Sequence, residues 1–202
     1  MELAVAFITG VVGPLIYLII EKYKNKERKR CVDTVVEAVA DSILVEDELS
    51  EIREIFNSDR AWISQFHNGG NFYPTGKSIQ KFSIFYEVTR VGVSTLSHIF
   101  SNIPCSLYSR AFTHMLDDEK KGIFIADFAN KKINTYGLYT AAESVGTKST
   151  YVIPMFSLEE KLVGTIGIDY VGKKRKLTKD EWEHLQIRAG RIGGYLSSYL
   201  EK

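Results

Sequence analysis

Hydrophobic positions along the chain change their period several times, and each change predicts an element. Residues 3 to 20 read LAVAFITGVVGPLIYLII, eighteen positions without a charge. At about 1.5 Å of rise per residue such a run makes a helix of roughly 27 Å, close to the thickness of a bilayer's hydrocarbon core. From residue 31 the pattern becomes amphipathic. Val32, Val35, Val36, Val39 and Ile43 recur at helical spacing, and Leu49, Ile52 and Phe56 continue the stripe, which predicts a helix over residues 31 to 57. Residues 60 to 67, RAWISQFH, alternate and are rich in aromatics, the signature of a strand. Asn68-Gly69-Gly70-Asn71 is a turn signal, with a loop expected up to Lys81.

A second alternating run, residues 81 to 92, predicts the next strand. Short helices are expected around Pro104 between residues 94 and 116, a short buried strand over 122 to 127, and a short helix over 135 to 145. Residues 148 to 157 and 162 to 171 predict a strand pair joined by a turn at 158 to 161. Gly164 and Gly167 inside the last strand point to close backbone approach or a bulge. The final element opens on Thr178, with Glu181 placed to complete a capping box. Trp182, Leu185, Ala189, Ile192, Leu196 and Tyr199 then form a heptad seam. That seam can pack on the first helix of the same chain, on a second copy, or on both.

Charge changes the picture at the N-terminus. No Lys or Arg precedes Lys22, and the nine residues Lys22 to Arg30 carry six. A cleaved signal peptide has the opposite order, with positive charge before the apolar run. Basic residues mark the cytoplasmic side. The expected layout is therefore a transmembrane helix over 1–21, a basic juxtamembrane segment over 22–30, and one cytoplasmic domain over 31–202, with the N-terminus outside. A hydrophobic assembly helix is the alternative. Across the whole chain the net charge is +1, with 45% apolar and 25% charged residues, as in an ordinary folded domain and without the footprint of a nucleic-acid binder. The cluster Lys173-Lys174-Arg175-Lys176 reads as a solvated loop. Cys31 and Cys105 form no Cys-x-x-Cys and fit a reducing compartment.

Catalytic patterns are missing. The four histidines, His67, His98, His114 and His184, fall in separate elements, and no metalloprotease, nucleophile-elbow or phosphate-loop motif is present. No enzyme, catalytic residue or metal ligand is predicted. The most unusual local feature is Phe66-His67-Asn68-Gly69-Gly70-Asn71-Phe72-Tyr73. It suggests a ligand lip, in which His67 donates to an anion, Asn68 and the amides of Gly69 and Gly70 cradle it, and Phe72 or Tyr73 stacks on a ring. The plainer reading is a turn whose Asn and Gly residues supply positive φ. Glu87 pairs with Arg90, faces the same pocket, or is an ordinary strand carboxylate. Asp127 and Asn130 follow a buried strand and are placed to line it. Tyr136, with Tyr139 and Thr140, belongs to the short helix that would roof it.

The closing third carries a specific pattern: Ser149-Thr150-Tyr151-Val152-Ile153-Pro154, a turn, Lys161-Leu162-Val163-Gly164-Thr165-Ile166-Gly167-Ile168-Asp169-Tyr170, then Leu177-Thr178 and Glu181. This resembles the C-terminal half of a GAF domain, and the order of elements extends the resemblance over roughly residues 31 to 200. The resemblance implies an α/β fold of the α+β kind. A central antiparallel sheet would carry the terminal helices on one face, with short helices and loops covering a pocket on the other. It also implies a small-molecule ligand, or a domain that only dimerises. The chain departs from the cyclic-nucleotide members, since Asn130-Lys131 is followed by Glu143 without an acidic pair. Cys105 is followed by Ser106 rather than His, which counts against covalent bilin attachment.

Three functions stay open. One is a membrane-tethered, homodimeric or higher-oligomeric sensor of an unidentified small molecule. Another is a non-enzymatic assembly protein that uses the fold as a dimerisation block. The third is a phage- or defence-related membrane effector.

Overall fold

The computed structural model describes residues 16–22, 34–117, 122–130, 132–157 and 159–197. The chain divides into two compact units, residues 1–40 and 41–202. In the first, residues 16–22 are helical and exposed. Most of the apolar run and of the basic segment lies outside the described residues, so the expected membrane helix does too. Among the described residues no helix is long and apolar enough to cross a membrane. Helix α1, Thr34–Ile55, runs over the boundary between the units.

From residue 41 onward the second unit is built on period-2 strands. They are β1 (Arg60–Asn71), β2 (Ser78–Thr89), β3 (Ile103–Pro104), β4 (Ile123–Ile125), β5 (Ser149–Phe156) and β6 (Leu162–Tyr170). They form one antiparallel sheet in the order β3-β2-β1-β6-β5-β4. A 3₁₀ turn at Cys105–Tyr108 leads into α2 (Ser109–Met115), α3 (Tyr139–Ser144) precedes β5, and α4 (Lys179–Ser197) closes the chain. Pro104 sits on the edge strand, where a residue without an N–H is tolerated.

Alternation sends Ala61, Ile63, Tyr151, Ile153, Met155, Ile166, Ile168 and Tyr170 to one face of the sheet. Val45, Leu49, Ile52 and Phe56 of α1 and Leu185, Ala189, Ile192 and Leu196 of α4 cover them. Fully burying each large aliphatic side chain contributes about 1.5–3 kcal/mol, so this layer dominates the unit's stability. The described part of the heptad seam is thus spent inside the chain; Tyr199 lies outside the described residues. The capping box forms as expected, with Glu181 N–H donating to Thr178 Oγ1 (3.2 Å) and Thr178 N–H to Glu181 Oε2 (2.9 Å). Arg188 of α4 binds Glu48 (2.8 Å) and Glu51 (2.7 Å) of α1.

Helix α4 lies close on β5 because residue 193 is glycine. A Cβ there would stand 2.3 Å from the Phe156 carbonyl oxygen. Gly193→Ala is expected to lower stability by about 1–3 kcal/mol through overpacking, read as a lower urea midpoint at unchanged slope.

The Asn68–Asn71 stretch departs from expectation. It is not the turn. Strand β1 runs on to Asn71, which pairs with Ser78, and the register shifts between Asn68 and Asn71. Gly70, at φ 94°, therefore belongs to a bulge. The chain reverses at residues 72–77, closed by Phe72 N–H to the Lys77 carbonyl (2.8 Å). Residues 94–101 form bends and turns rather than a regular helix.

Candidate functional site

The opposite face of the sheet carries an unusual ladder. Three residues of β1 at i, i+2 and i+4 point the same way, and each has a direct cross-strand partner on β6. Arg60 pairs with Asp169, Trp62 with Gly167 and Ser64 with Thr165. Each pair is chemically matched. Arg60 Nη1 donates to Asp169 Oδ2 at 2.8 Å. The Trp62 indole lies across Gly167, where a Cβ would fall 2.1 Å from the ring. The Ser64 and Thr165 hydroxyls bond each other at 2.7 Å. On β5, Thr150 donates to Asp169 Oδ1 at 2.5 Å.

Over this ladder the short elements build a roof. Tyr108, Ala111, Phe112 and Met115 come from the 3₁₀ turn and α2, and Leu138, Ala141 and Ala142 from the α3 region. Leu96 and Phe100 close one side. Between roof and ladder lies a cavity of about 80 Å³. Its walls are aromatic and aliphatic, its polar groups on the sheet side are those of Ser64, Thr165, Thr150, Thr147 and Asp169, and Tyr108 brings a hydroxyl from the roof. A concave, mostly apolar space with a few convergent polar groups is the usual form of a small-ligand site.

The buried charges are mutually compensated. Arg60 is fully buried. Its Nε and Nη2 donate to the Ser94 carbonyl (3.1 and 2.6 Å), and its Nη1 reaches Thr147 Oγ1 (3.2 Å) as well as Asp169. Glu87 Oε1 stands 3.4 Å from Arg60 Nε. Burial pushes the Asp169 carboxyl above its ordinary range, opposed by Arg60 and by hydrogen bonds from Thr150 and Trp62. The Trp62 bond, Nε1–H to Oδ2 at 3.1 Å, ties the cavity wall to this ion pair.

The residues singled out from the sequence are dispersed, and none is among those lining the cavity. Strand β6 pairs with β1 only over Arg60–Gln65, so the rest of the hairpin projects beyond it. His67 sits on that projection, its Nε2 bonded to Ser83 Oγ (2.9 Å) and its ring edge-on to Phe85. Asn68 Oδ1 accepts from Gly70 N–H (3.0 Å) and Ser78 (3.2 Å). Gly69 packs over the Lys81 stem, while Phe72 and Tyr73 are exposed at the tip, Tyr73 by 98%.

Glu87 accepts the backbone N–H groups of Leu96 (2.6 Å) and Ser97 (3.0 Å), fixing the loop beside the cavity. Asp127 pairs with Lys174, which holds its carboxyl below the usual range, and accepts Ala129 N–H. Asn130 accepts Lys132 N–H within a turn (3.0 Å). Tyr136, at φ 51°, precedes α3 and lies against the His114 ring. Tyr139 and Thr140 are exposed, leaving Leu138, Ala141 and Ala142 to form the roof. Sequence reasoning missed the ladder. Its sequence signals are the polar alternate positions Arg60 and Ser64, Asp169 at the end of an apolar strand, and Gly167 within that strand.

The hydroxyl pair gives a direct energetic expectation. Ser64→Ala strands the Thr165 hydroxyl in a buried site and costs about 1–3 kcal/mol, whereas removing both hydroxyls relieves that penalty. The double variant Ser64→Ala/Thr165→Val should therefore lose less than the sum of the single variants. The coupling should be of order 1 kcal/mol in a denaturation cycle.

No protein-family model matches the sequence, and no curated protein does. Solved structures do match in fold. The blue-light-absorbing form of the Thermosynechococcus elongatus PixJ GAF domain superposes with a TM-score of 0.61 at 14% identity, covering 84% of this chain and 94% of that one. A phycocyanobilin-bound GAF domain from a cyanobacterial phytochrome gives 0.60 at 18% identity, covering 92% and 96%. A domain assigned to a two-component sensor histidine kinase of Sinorhizobium meliloti 1021 gives 0.52 at 16%, covering 78% and 92%. The chain has the GAF fold, with the six-stranded antiparallel sheet and flanking helices that its closing sequence pattern resembles.

Proposed function

We propose that this chain is a non-enzymatic, membrane-tethered sensor whose GAF-fold domain binds a small molecule in the cavity over the Arg60–Asp169, Trp62–Gly167 and Ser64–Thr165 ladder. The observation that carries this reading is the cavity itself, with matched polar groups on its floor and an aromatic and aliphatic roof. A domain that only dimerises has no need of such a space. Strands β1 and β6 link it to the core, because their alternate side chains line the cavity on one face and meet α1 and α4 on the other. Occupancy of the cavity is thus read by the sheet on which the terminal helices rest.

A bilin, as carried by the phytochrome GAF domain, does not suit this cavity. Drug-sized ligands need pockets of about 300–1,000 Å³, several times the space present here. Cys105 is half-buried, burial pushes its thiol pKa up, and it is not among the lining residues.

The tether is read from the apolar run and the six basic residues after it, which place the domain on the cytoplasmic side. Ile43 and Leu44 on α1 and Ile187 on α4 are exposed and are the faces a second copy would use.

Two experiments test the reading. In thermal-shift assays of the full chain against a panel of small metabolites, at least one should raise the melting temperature, and Ala111→Leu, which fills the cavity, should abolish the rise. A shift that survives the filling places the ligand elsewhere. For the tether, the full chain should remain with membranes through alkaline carbonate extraction and be released when residues 3–20 are deleted. Release of the intact chain would contradict it.

A further inference from the structure

We infer that the ligand is a compact, uncharged molecule with an apolar body of about three to four heavy atoms and one polar tip, held by the Ser64–Thr165 hydroxyl pair. This rests on the reading of the cavity as a ligand site and goes on to specify the chemistry that site accepts.

Charge is decided first. Among the described lining residues Asp169 is the one charged group, and its oxygens are committed. Oδ1 takes Thr150, and Oδ2 takes Arg60 and Trp62. Arg60, its counter-charge, is turned to the Ser94 carbonyl, Thr147 and Asp169. An anionic or cationic ligand would enter an apolar space with no free partner for its charge, a penalty that keeps unpaired ions out of such sites.

Hydrogen-bond capacity is decided next. The Thr150 hydroxyl donates to Asp169, and Thr147 Oγ1 accepts from Arg60. Ser64 and Thr165 bring two O–H donors, and the single 2.7 Å bond between them uses one. The pair therefore retains one donor and several acceptor lone pairs, while both residues are almost wholly buried, at 2% and 3% exposure. One carbonyl or hydroxyl oxygen on a ligand satisfies that donor. Apart from the Thr147 and Tyr108 hydroxyls, the remaining lining side chains can receive only apolar groups.

Size follows from the 80 Å³ volume. An apolar cavity of about 150 Å³ holds benzene, with six heavy atoms, so this one, at roughly half that, takes a body on the order of three to four heavy atoms.

A matched series of probes tests each part on the full chain: 1-butanol, 2-butanone, pentane, butyrate and butylammonium, each followed on the methyl resonances of Ile84, Leu96 and Val152. The expected result is saturable binding of butanol, butanone and pentane, with no effect of the two charged probes on these methyls. In Ser64→Ala/Thr165→Val the ratio of butanol to pentane affinity should fall about fivefold, the worth of one net hydrogen bond. Thr165→Ser, which keeps the hydroxyl, should preserve the ratio. Butyrate or butylammonium binding as tightly as butanol would overturn the neutrality of the ligand. An unchanged ratio in the double variant would overturn the anchoring role of the pair while leaving the cavity reading intact. Should no probe, pentane included, perturb these methyls, the cavity reading itself falls.

Discussion

Arg60→Met is expected to lower the stability of the domain by about 3–5 kcal/mol, the cost of stranding a buried charge by removing its partner. At this size that corresponds to a fall in melting temperature of roughly 6–20 °C. The loss is not one of packing, since methionine fills much of the same space. Without Arg60, Asp169 keeps only Thr150 and Trp62, and Glu87 keeps the Leu96 and Ser97 amides.

The charge origin of the effect has a pH signature. Burial already pushes the Asp169 carboxyl up, and Arg60 is the first of the influences that hold it down. Removing the guanidinium raises it further. A carboxyl whose folded pKa lies above its unfolded value favours folding fully below the unfolded value, about 3.9 for Asp. That contribution is lost as pH rises through the folded value. The deficit of Arg60→Met should therefore be larger at pH 7 than near pH 4. Chemical denaturation of both proteins at the two pH values checks this, and an equal deficit at both would assign Arg60 a packing role only.

Gly167→Val should have an effect of similar size and a functional consequence besides. Any Cβ at this position falls inside the Trp62 ring, 2.1 Å from its nearest atom. The indole must leave the β6 backbone, and with it goes the bond from Nε1 to Asp169. Overpacking costs about 1–3 kcal/mol, and a lost hydrogen bond to a charged acceptor about 1.5–3 kcal/mol, of order 3–5 kcal/mol together. Because Trp62 is a wall of the cavity, ligand binding should be lost as well. Trp182→Phe leaves Trp62 as the sole indole, so its emission maximum reports the displacement. An unmoved maximum would mean that β6 shifts instead of the ring.

How much of this was legible beforehand depended on how local the determinants are. The β5–turn–β6–α4 segment was readable because period-2 runs, a tight turn and a Thr178–Glu181 capping box lie within a few residues of one another. The two strand glycines were also readable as points of close approach, and Gly167 meets Trp62 while Gly164 meets the Ser64 backbone. The Asn68–Asn71 stretch misled because Asn and Gly serve a bulge as well as a turn. Which one forms depends on the register of β2, and that is a tertiary fact. Glu87 had a surmised partner in Arg90, yet the fold turns it to two backbone amides that no sequence pattern announces.

The cavity was expected only through the resemblance, as a pocket beneath short helices, and its residues were not identified. Arg60 and Asp169 are separated by 109 positions, and the roof is assembled from α2, α3 and loops, each contributing small or aromatic residues that look like ordinary core. A conspicuous loop drew attention at His67. Of the matched pairs that shape the cavity, only Gly167 was legible in the sequence, as a point of close approach, and its partner Trp62 had no local signature.

The emission of Trp62 offers the most direct test of the cavity as a ligand site. In the full chain carrying Trp182→Phe, titration with 1-butanol should give a saturable change in Trp62 emission, and the further substitution Ala111→Leu should abolish it. A change that grows linearly without saturating, or one that persists undiminished when the cavity is filled, would contradict the account.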